Sequence, residues 1–445
     1  MISHPFPFHR CIAALLGLLP LCAQAEDAAY FIPQFLGAQY TFIDQHQDAL
    51  RSPYAGPLSL DPRGDTEQSH TFGAYFGVPL SAHLQFYFDM EMFKGEGVSD
   101  ATGLGGLPNG DVIRSGTNVL GKRAYVARRY LRYLLPLGDA HHTVEGAQDQ
   151  LAGDEPDSRM EFKLGKFAPS DDFDKNKYAN STRTQFMNWS LFNDTAWDFA
   201  ADTRGYTNGA LVAYVAPGWA LRYGIFQMPR YANGQTLEAP LTRARGEQVE
   251  LALQPDADDW ALRMLAFRNV ARMGIYEDAI AIAAATGATP DIRADDSDGR
   301  RKYGFGANAE LPLGDGGETG LFARAGWNDG RTESFAFTEV DRTLSGGAQL
   351  SGTHWNRAQD HLGFAIAIDA LSHDHRDYLA AGGSGFLLGD GRLDYASEKI
   401  AEAYYQWRLI AHVDLDPDVQ FVRDPGYNQD RGPARFIGVR VHVEF

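Results

Sequence analysis

Between residues 437 and 445 the chain places Ile437, Val439, Val441, Val443 and Phe445 at alternate positions, with Gly438, Arg440, His442 and Glu444 between them. In an extended strand, successive side chains point to opposite faces, so this segment has one apolar face and one charged face. The pattern recurs. Leu84, Phe86, Phe88, Met90 and Met92 alternate with His83, Gln85, Tyr87, Asp89 and Glu91, and Met160, Phe162 and Leu164 alternate with Arg159, Glu161 and Lys163. Leu362, Phe364, Ile366 and Ile368 alternate with Gly363, Ala365, Ala367 and Asp369. Many of these runs reach about ten residues, the span of a tilted membrane strand, whereas soluble strands average about five or six. After the N-terminal segment no apolar run approaches the roughly 20 residues of a membrane helix. Strands cross a bilayer only as a closed barrel, which leaves no backbone edge unsatisfied in lipid.

Sixteen such segments are expected, near 34–43, 68–78, 82–93, 122–134, 159–168, 206–215, 218–228, 245–254, 258–271, 302–313, 318–329, 342–351, 359–370, 396–408, 410–421 and 434–445. The count is even, as bacterial single-chain barrels require. The expected fold is all-β: a transmembrane antiparallel β-barrel of about 16 strands, with long extracellular loops partly folded into the lumen. Pro79-Leu80-Ser81 and Ala216-Pro217 have the turn character of periplasmic ends, while residues 169–205 are too long for a plain turn. One segment resists, KRAYVARRYLRYL at 122–134. Placing Arg128, Tyr130 and Arg132 in the lumen sends Tyr125, Leu131, Tyr133 and also Arg129 to lipid. Either Arg129 sits near an interface or a bulge shifts the register.

The N-terminus reads as an export signal. Arg10 precedes an apolar run from Cys11 to Leu21, and Ala23-Gln24-Ala25 forms a small-x-small cleavage site. The expected organisation is a signal peptide over 1–25 and one barrel domain over 26–445. Both cysteines, Cys11 and Cys22, fall within that signal, so no disulfide is expected. The formal net charge of −18 argues against a nucleic-acid partner.

Several longer stretches carry a family likeness. They are RSPYAGPLSL at 51–60, GLPNGD at 106–111, GKFAPSDDFDKNKYANSTRTQFMNWSL at 165–191 and WDFAADTRGY at 197–206. GWNDGRTESFAFTEVD at 326–341, YLAAGGSGFLLGDG at 378–391 and YNQDRGP at 427–433 follow in order. The chain resembles the OprB-type carbohydrate-selective porins over essentially all of its mature length. The resemblance implies an outer-membrane channel in a Gram-negative envelope that admits glucose-like sugars by passive diffusion. Alternation alone implies a barrel and no particular solute. Ending on Phe445 also resembles outer-membrane barrels, whose assembly machinery reads that end.

Sugar selection needs groups that pair with hydroxyls and flat apolar faces for a pyranose ring. The candidate pore-lining residues are Asp89, Glu91, Arg128, Arg132, Lys163 and Arg324 on strands, with Arg183 and Trp189 in the long loop. The plain alternative is that these charges solvate the wall and pair with one another. Asp172, Asp174 and Asn176 have the spacing that opens a calcium loop, but Lys177 and Arg183 stand where glycine and glutamate are wanted. Asp296-Ser297-Asp298-Gly299 is weaker still. His373-Asp374-His375 lacks a third metal ligand and reads as a polar loop, and Gly382-Gly383-Ser384-Gly385 lacks the lysine of a phosphate loop. No cofactor is expected.

Two other functions fit the pattern. A porin of the same fold for anions or other small solutes would also carry lumen arginines. A barrel lipase would need a serine and histidine on the outer face. Ser81 and His83 stand near a turn with nothing else to support a triad. Oligomeric state is not legible.

Overall fold

A computed structural model describes residues 35–112, 121–256 and 259–445 of the chain; the expected signal at 1–25, with Cys11 and Cys22, lies outside them. The strands are β1 (Phe35–Gln47), β2 (Asp65–Pro79), β3 (Leu84–Gly95), β4 (Tyr125–Pro136), β5 (His141–Val144), β6 (Gly153–Pro156), β7 (Arg159–Phe167), β8 (Thr207–Ala216) and β9 (Trp219–Phe226). They continue with β10 (Arg245–Leu253), β11 (Ala261–Met273), β12 (Ser297–Gly314), β13 (Thr319–Asn328), β14 (Arg342–Ser351), β15 (His361–Ala370), β16 (Glu398–Ile410), β17 (Val413–Arg423) and β18 (Ala434–Glu444). Sixteen of these close into one antiparallel barrel, each paired with its neighbours in chain order, and β1 pairs β18 from Gln39↔Glu444 to Gln47↔Phe436. All sixteen expected segments coincide with barrel strands. The two additional strands, β5 and β6, form a separate hairpin between β4 and β7 that alternation did not reveal.

Alternation sets which side chains face in. Along β18, Phe436, Arg440 and His442 are buried, while Ile437 and Val439 are exposed on the outer wall. On β14 and β15, Leu344, Phe364, Ile366 and Ile368 continue that outer apolar surface. Exposed apolar groups of this extent suit a hydrocarbon solvent and not water. The inner wall is polar and largely buried, because loops fill much of the lumen.

The resistant segment resolves through a bulge. Asp89 pairs with Arg128 and Met90 with Val126, so Ala127 is the extra residue. The bulge reverses the facing of the strand beyond it. Tyr125 therefore turns inward, where its hydroxyl donates to Glu91 Oε2 at 3.0 Å, and does not face lipid as the simple alternation implied. Arg129 remains outward and exposed.

Connections differ sharply between the two ends. Turns such as residues 217–218 and 411–412 lie at the end that holds the two barrel termini, β1 and β18. The opposite end carries the longer connections, and residues 168–206 enter the lumen. Phe173, Tyr178, Phe186, Met187, Leu191 and Trp197 from that loop are completely buried against the wall. Asp194 lies over Gly306 and Gly326 of adjacent strands, where any Cβ would collide with its carboxylate. Close approach of loop to wall thus requires glycine at both positions.

Candidate functional site

The loop enters the lumen because the wall offers it partners. Arg324, on β13, donates to Asp174 Oδ1 at 3.2 Å and to the carbonyls of Leu191, Ala179 and Asp174. Glu402 of β16 accepts the backbone N–H of Asn188 at 3.0 Å, and Glu250 of β10 accepts that of Asp174 at 2.6 Å. Arg440 donates to Asp416 and to the carbonyls of Thr182 and Gln185. Each bond satisfies an inward-facing charge and an irregular backbone group together, which buried irregular chain demands.

A second insertion enters from the short-turn end. Beside the β5–β6 hairpin, Gln148 donates to Asp89 at 2.8 Å, Tyr130 donates to Asp149 at 3.0 Å, and Glu155 receives Arg132. Asp149 is half-buried, and loss of hydration pushes its carboxyl up to about 7 despite the nearby Arg128; Asp89 and Asp171 raise it further.

Between these insertions lies a cavity of about 420 Å³. Its charged wall holds Glu91, Arg128, Arg183, Asp111 and Asp171. Arg128 bonds Asp171 through two nitrogens and also reaches Asp89 at 3.0 Å and Asp149 at 3.2 Å. Arg183 bridges Glu91 at 2.9 Å and Asp111 at 2.8 Å. The Tyr206 hydroxyl donates to Glu91 at 2.8 Å beside that of Tyr125. The guanidinium of Arg128 holds Asp171 well below the usual carboxylate range, overriding the opposing effect of its burial. Arg204 lies over the Tyr125 ring and makes no ion pair among the described residues, and neither does Lys175, whose side chain is exposed to the lumen. Its position deep inside the barrel lowers its pKa, a desolvation effect that Asp171 and Asp172 oppose.

The other wall is aromatic. Trp189 stacks on Phe337 with ring centroids 5.2 Å apart, and Phe337 packs on Phe199 at 4.5 Å and Phe192 at 5.7 Å. All four line the cavity. Charged groups and flat aromatic rings thus line one space of about 420 Å³.

Four of the eight candidate residues, Glu91, Arg128, Arg183 and Trp189, line this cavity. The other four stand behind it. Asp89 is covered by Arg128 and Gln148. Arg132 is held between Glu155 and Glu161, and Lys163 bonds Asp172 at 2.9 Å while lying over the Tyr130 and Phe167 rings. Arg324 departs most from expectation. It is a loop anchor, 1% exposed, with its guanidinium donors spent on the chain it holds. Sequence reasoning missed Tyr125, Lys175, Phe199, Tyr206 and Phe337, most of which lie on loops where period two gives no signal.

The calcium-like spacing serves another purpose. Asp172 holds Lys163, Asp174 holds Arg324 and Asn308, and Asn176 accepts the N–H groups of Tyr178 and Ala179. Their oxygens face protein donors and do not converge on one point. Among the described residues no cluster of three or more His, Asp or Glu side chains suits a metal ion. His373 and His375 start a helix (His373–Ala380), not a polar loop, and point apart: His375 is buried against Asp341 at 3.0 Å while His373 is exposed. Ser81 caps its own turn, accepting the N–H groups of His83 and Leu84.

A sixteen-stranded barrel with an apolar outside, a polar inside and an inserted loop defines the chain as an outer-membrane porin. A family model described as carbohydrate-selective porin, OprB family, matches residues 79–445, and the chain belongs to that family. The high-pH structure of Pseudomonas putida OprB superposes with a TM-score of 0.66 at 16% identity, covering 92% of this chain and 94% of that one. The low-pH structure of the same protein gives 0.48 at 13% identity, with 92% of each chain covered. The outer membrane channel DcaP of Acinetobacter baumannii gives 0.49 at 10%, covering 92% of this chain and 96% of that one. No curated protein matches the chain in sequence.

Proposed function

We propose that this porin passes glucose-like sugars by passive diffusion through the cavity between Arg183 and Trp189. The observation that carries the reading is the pairing of a charged wall with an aromatic one in a space of about 420 Å³. Charged hydrogen-bond partners on one side satisfy hydroxyls, and ring faces on the other accept the C–H face of a pyranose. Glu91 and Arg183 hold each other, and Arg128 is held by Asp89, Asp149 and Asp171, so they present fixed geometry and little free charge. That favours neutral, hydroxylated solutes. Swelling of liposomes carrying the protein tests this: glucose should enter several-fold faster than sucrose, and equal rates would contradict a fitted constriction.

Lys175 favours a second reading, in which small anions share the path. An unpaired lumen cation attracts anions from a distance. Zero-current potentials in unequal chloride salt separate the readings, because an anion channel shows strong anion preference and little block by glucose.

Two further proposals concern the ends. Residues 1–25 act as a cleaved export signal, leaving a single barrel domain over 26–445. Phe445, 69% exposed beyond β18, is the contact offered to the barrel assembly machinery. Deleting Phe445 should lower the amount of assembled barrel without changing the conductance of channels that do form.

A further inference from the structure

A separate cleft of about 940 Å³ lies on the outside of the barrel, near the long-loop ends of β11 to β14. Outward positions of β12 run Phe305, Tyr303, Arg301 toward that end. Trp327 of β13 meets both aromatic rings, with centroids 5.8 Å from Tyr303 and 6.2 Å from Phe305. Arg342 of β14 stands in register beside Trp327, and Arg331 follows the end of β13. An apolar band therefore passes through a Tyr/Trp girdle into three exposed arginines within a few residues. Aromatic girdles mark the headgroup level of a bilayer, so the arginines lie where headgroups begin.

The pairing of these arginines sets them apart from their neighbours. Arg268 pairs with Glu247, Arg272 with Asp296 and Arg300 with Asp295. Among the described residues no salt bridge engages Arg301, Arg331 or Arg342; the one bond here runs from Arg342 to the Leu371 carbonyl at 3.2 Å. Three guanidiniums without an ion pair among the described residues, around one cleft, suit phosphate, which accepts their forked donors in pairs. Glu277, Asp278 and Asp374, from the first turns of the helices Tyr276–Thr286 and His373–Ala380, and Asp329, just after β13, line the same cleft. Carboxylates would repel a bare phosphate but accept hydrogen bonds from sugar hydroxyls. The combination fits a headgroup that carries both.

We infer that this cleft binds the phosphorylated sugar headgroup of a glycolipid in the outer leaflet, with Arg301, Arg331 and Arg342 as the phosphate donors. The reading rests on the outer-membrane placement and is independent of what the pore conducts. Native mass spectrometry of the full-length protein in detergent, titrated with bisphosphorylated lipid A, tests it. Wild type should retain lipid A, and R301Q/R331Q/R342Q should bind at least tenfold more weakly while keeping its heat-modifiable gel migration and its glucose transport. Dephosphorylated lipid A should bind wild type as weakly as the variant binds lipid A, which tests the phosphate contact without any mutation. Inorganic phosphate and phosphatidylglycerol should compete poorly. Equal binding by the triple variant, or by dephosphorylated lipid A, overturns the inference. Displacement of lipid A by inorganic phosphate at low concentration would reduce the cleft to a simple anion site and overturn the glycolipid assignment.

Discussion

The Arg128 guanidinium donates to both carboxylate oxygens of Asp171, at 2.8 and 2.7 Å, tying the barrel wall to the inserted loop beside the lumen cavity. The same guanidinium holds Asp89 and Asp149, so a single side chain joins β3, the long loop and the insertion from the short-turn end.

Arg128→Ala should therefore loosen both insertions. Three carboxylates would lose their shared cation, and breaking a largely buried pair costs on the order of 3–5 kcal/mol. Single-channel recordings should show a larger and noisier conductance than wild type, and the variant should unfold at lower denaturant. Unchanged current noise would place the flexibility of the constriction elsewhere.

Lys175→Glu reverses an exposed cation of the cavity wall that has no ion pair among the described residues. Zero-current potentials in unequal salt should move toward cation preference, with little change in stability because the Lys175 side chain makes no hydrogen bond or ion pair among the described residues. Lys175→Gln should give an intermediate value.

Asp194 gives the inserted loop a pH dependence of defined sign. Burial, with Asp174 close by, pushes its carboxyl up to about 8 from an ordinary value of 3.8. The folded chain therefore keeps a proton that the unfolded chain releases above about pH 4. Its contribution to stability is complete below that pH and is lost as pH rises toward 8. Asp194→Asn mimics the protonated form, so it should raise stability at pH 8 and change little at pH 4. Denaturant unfolding at the two pH values measures the difference.

Facing can be tested on neighbouring residues. Phe88 faces outward near the middle of β3, and a lysine there costs about 2–4 kcal/mol against lipid. Phe88→Lys should impair assembly, seen as loss of heat-modifiable migration. Asp89→Asn leaves the outer surface intact, so it should assemble and keep heat-modifiable migration, with any effect confined to the tie to Arg128 inside the lumen.

The barrel was legible because lipid outside and water inside impose period two on every strand. Runs such as Leu362 to Asp369 need no tertiary context to be read. The constriction was legible only in part. Glu91 and Arg128 show as charged members of alternating strands, but whether such a charge meets solute or a loop depends on what enters the lumen. Arg324 illustrates this, since its facing was correctly inward while its partner is backbone of residues 174–191. Tyr125 was misplaced because one bulged residue, Ala127, inverts the pattern. The family-like words GLPNGD and GWNDGRTESFAFTEVD supply Asp111 and Phe337 to the cavity. Those words lie mainly on connections, where specific side-chain contacts constrain sequence more tightly than the apolar outer wall does.

The central claim is that glucose occupies the cavity between the Arg183 and Trp189 walls. Ion current through single reconstituted channels, measured with increasing glucose, tests it most directly. Wild type should be blocked with half-saturation in the millimolar range, corresponding to about 4 kcal/mol. Trp189→Ala should weaken the block several-fold while leaving charge selectivity unchanged. A wild-type current that falls only in proportion to solution viscosity, or a block that Trp189→Ala leaves intact, would contradict the assignment.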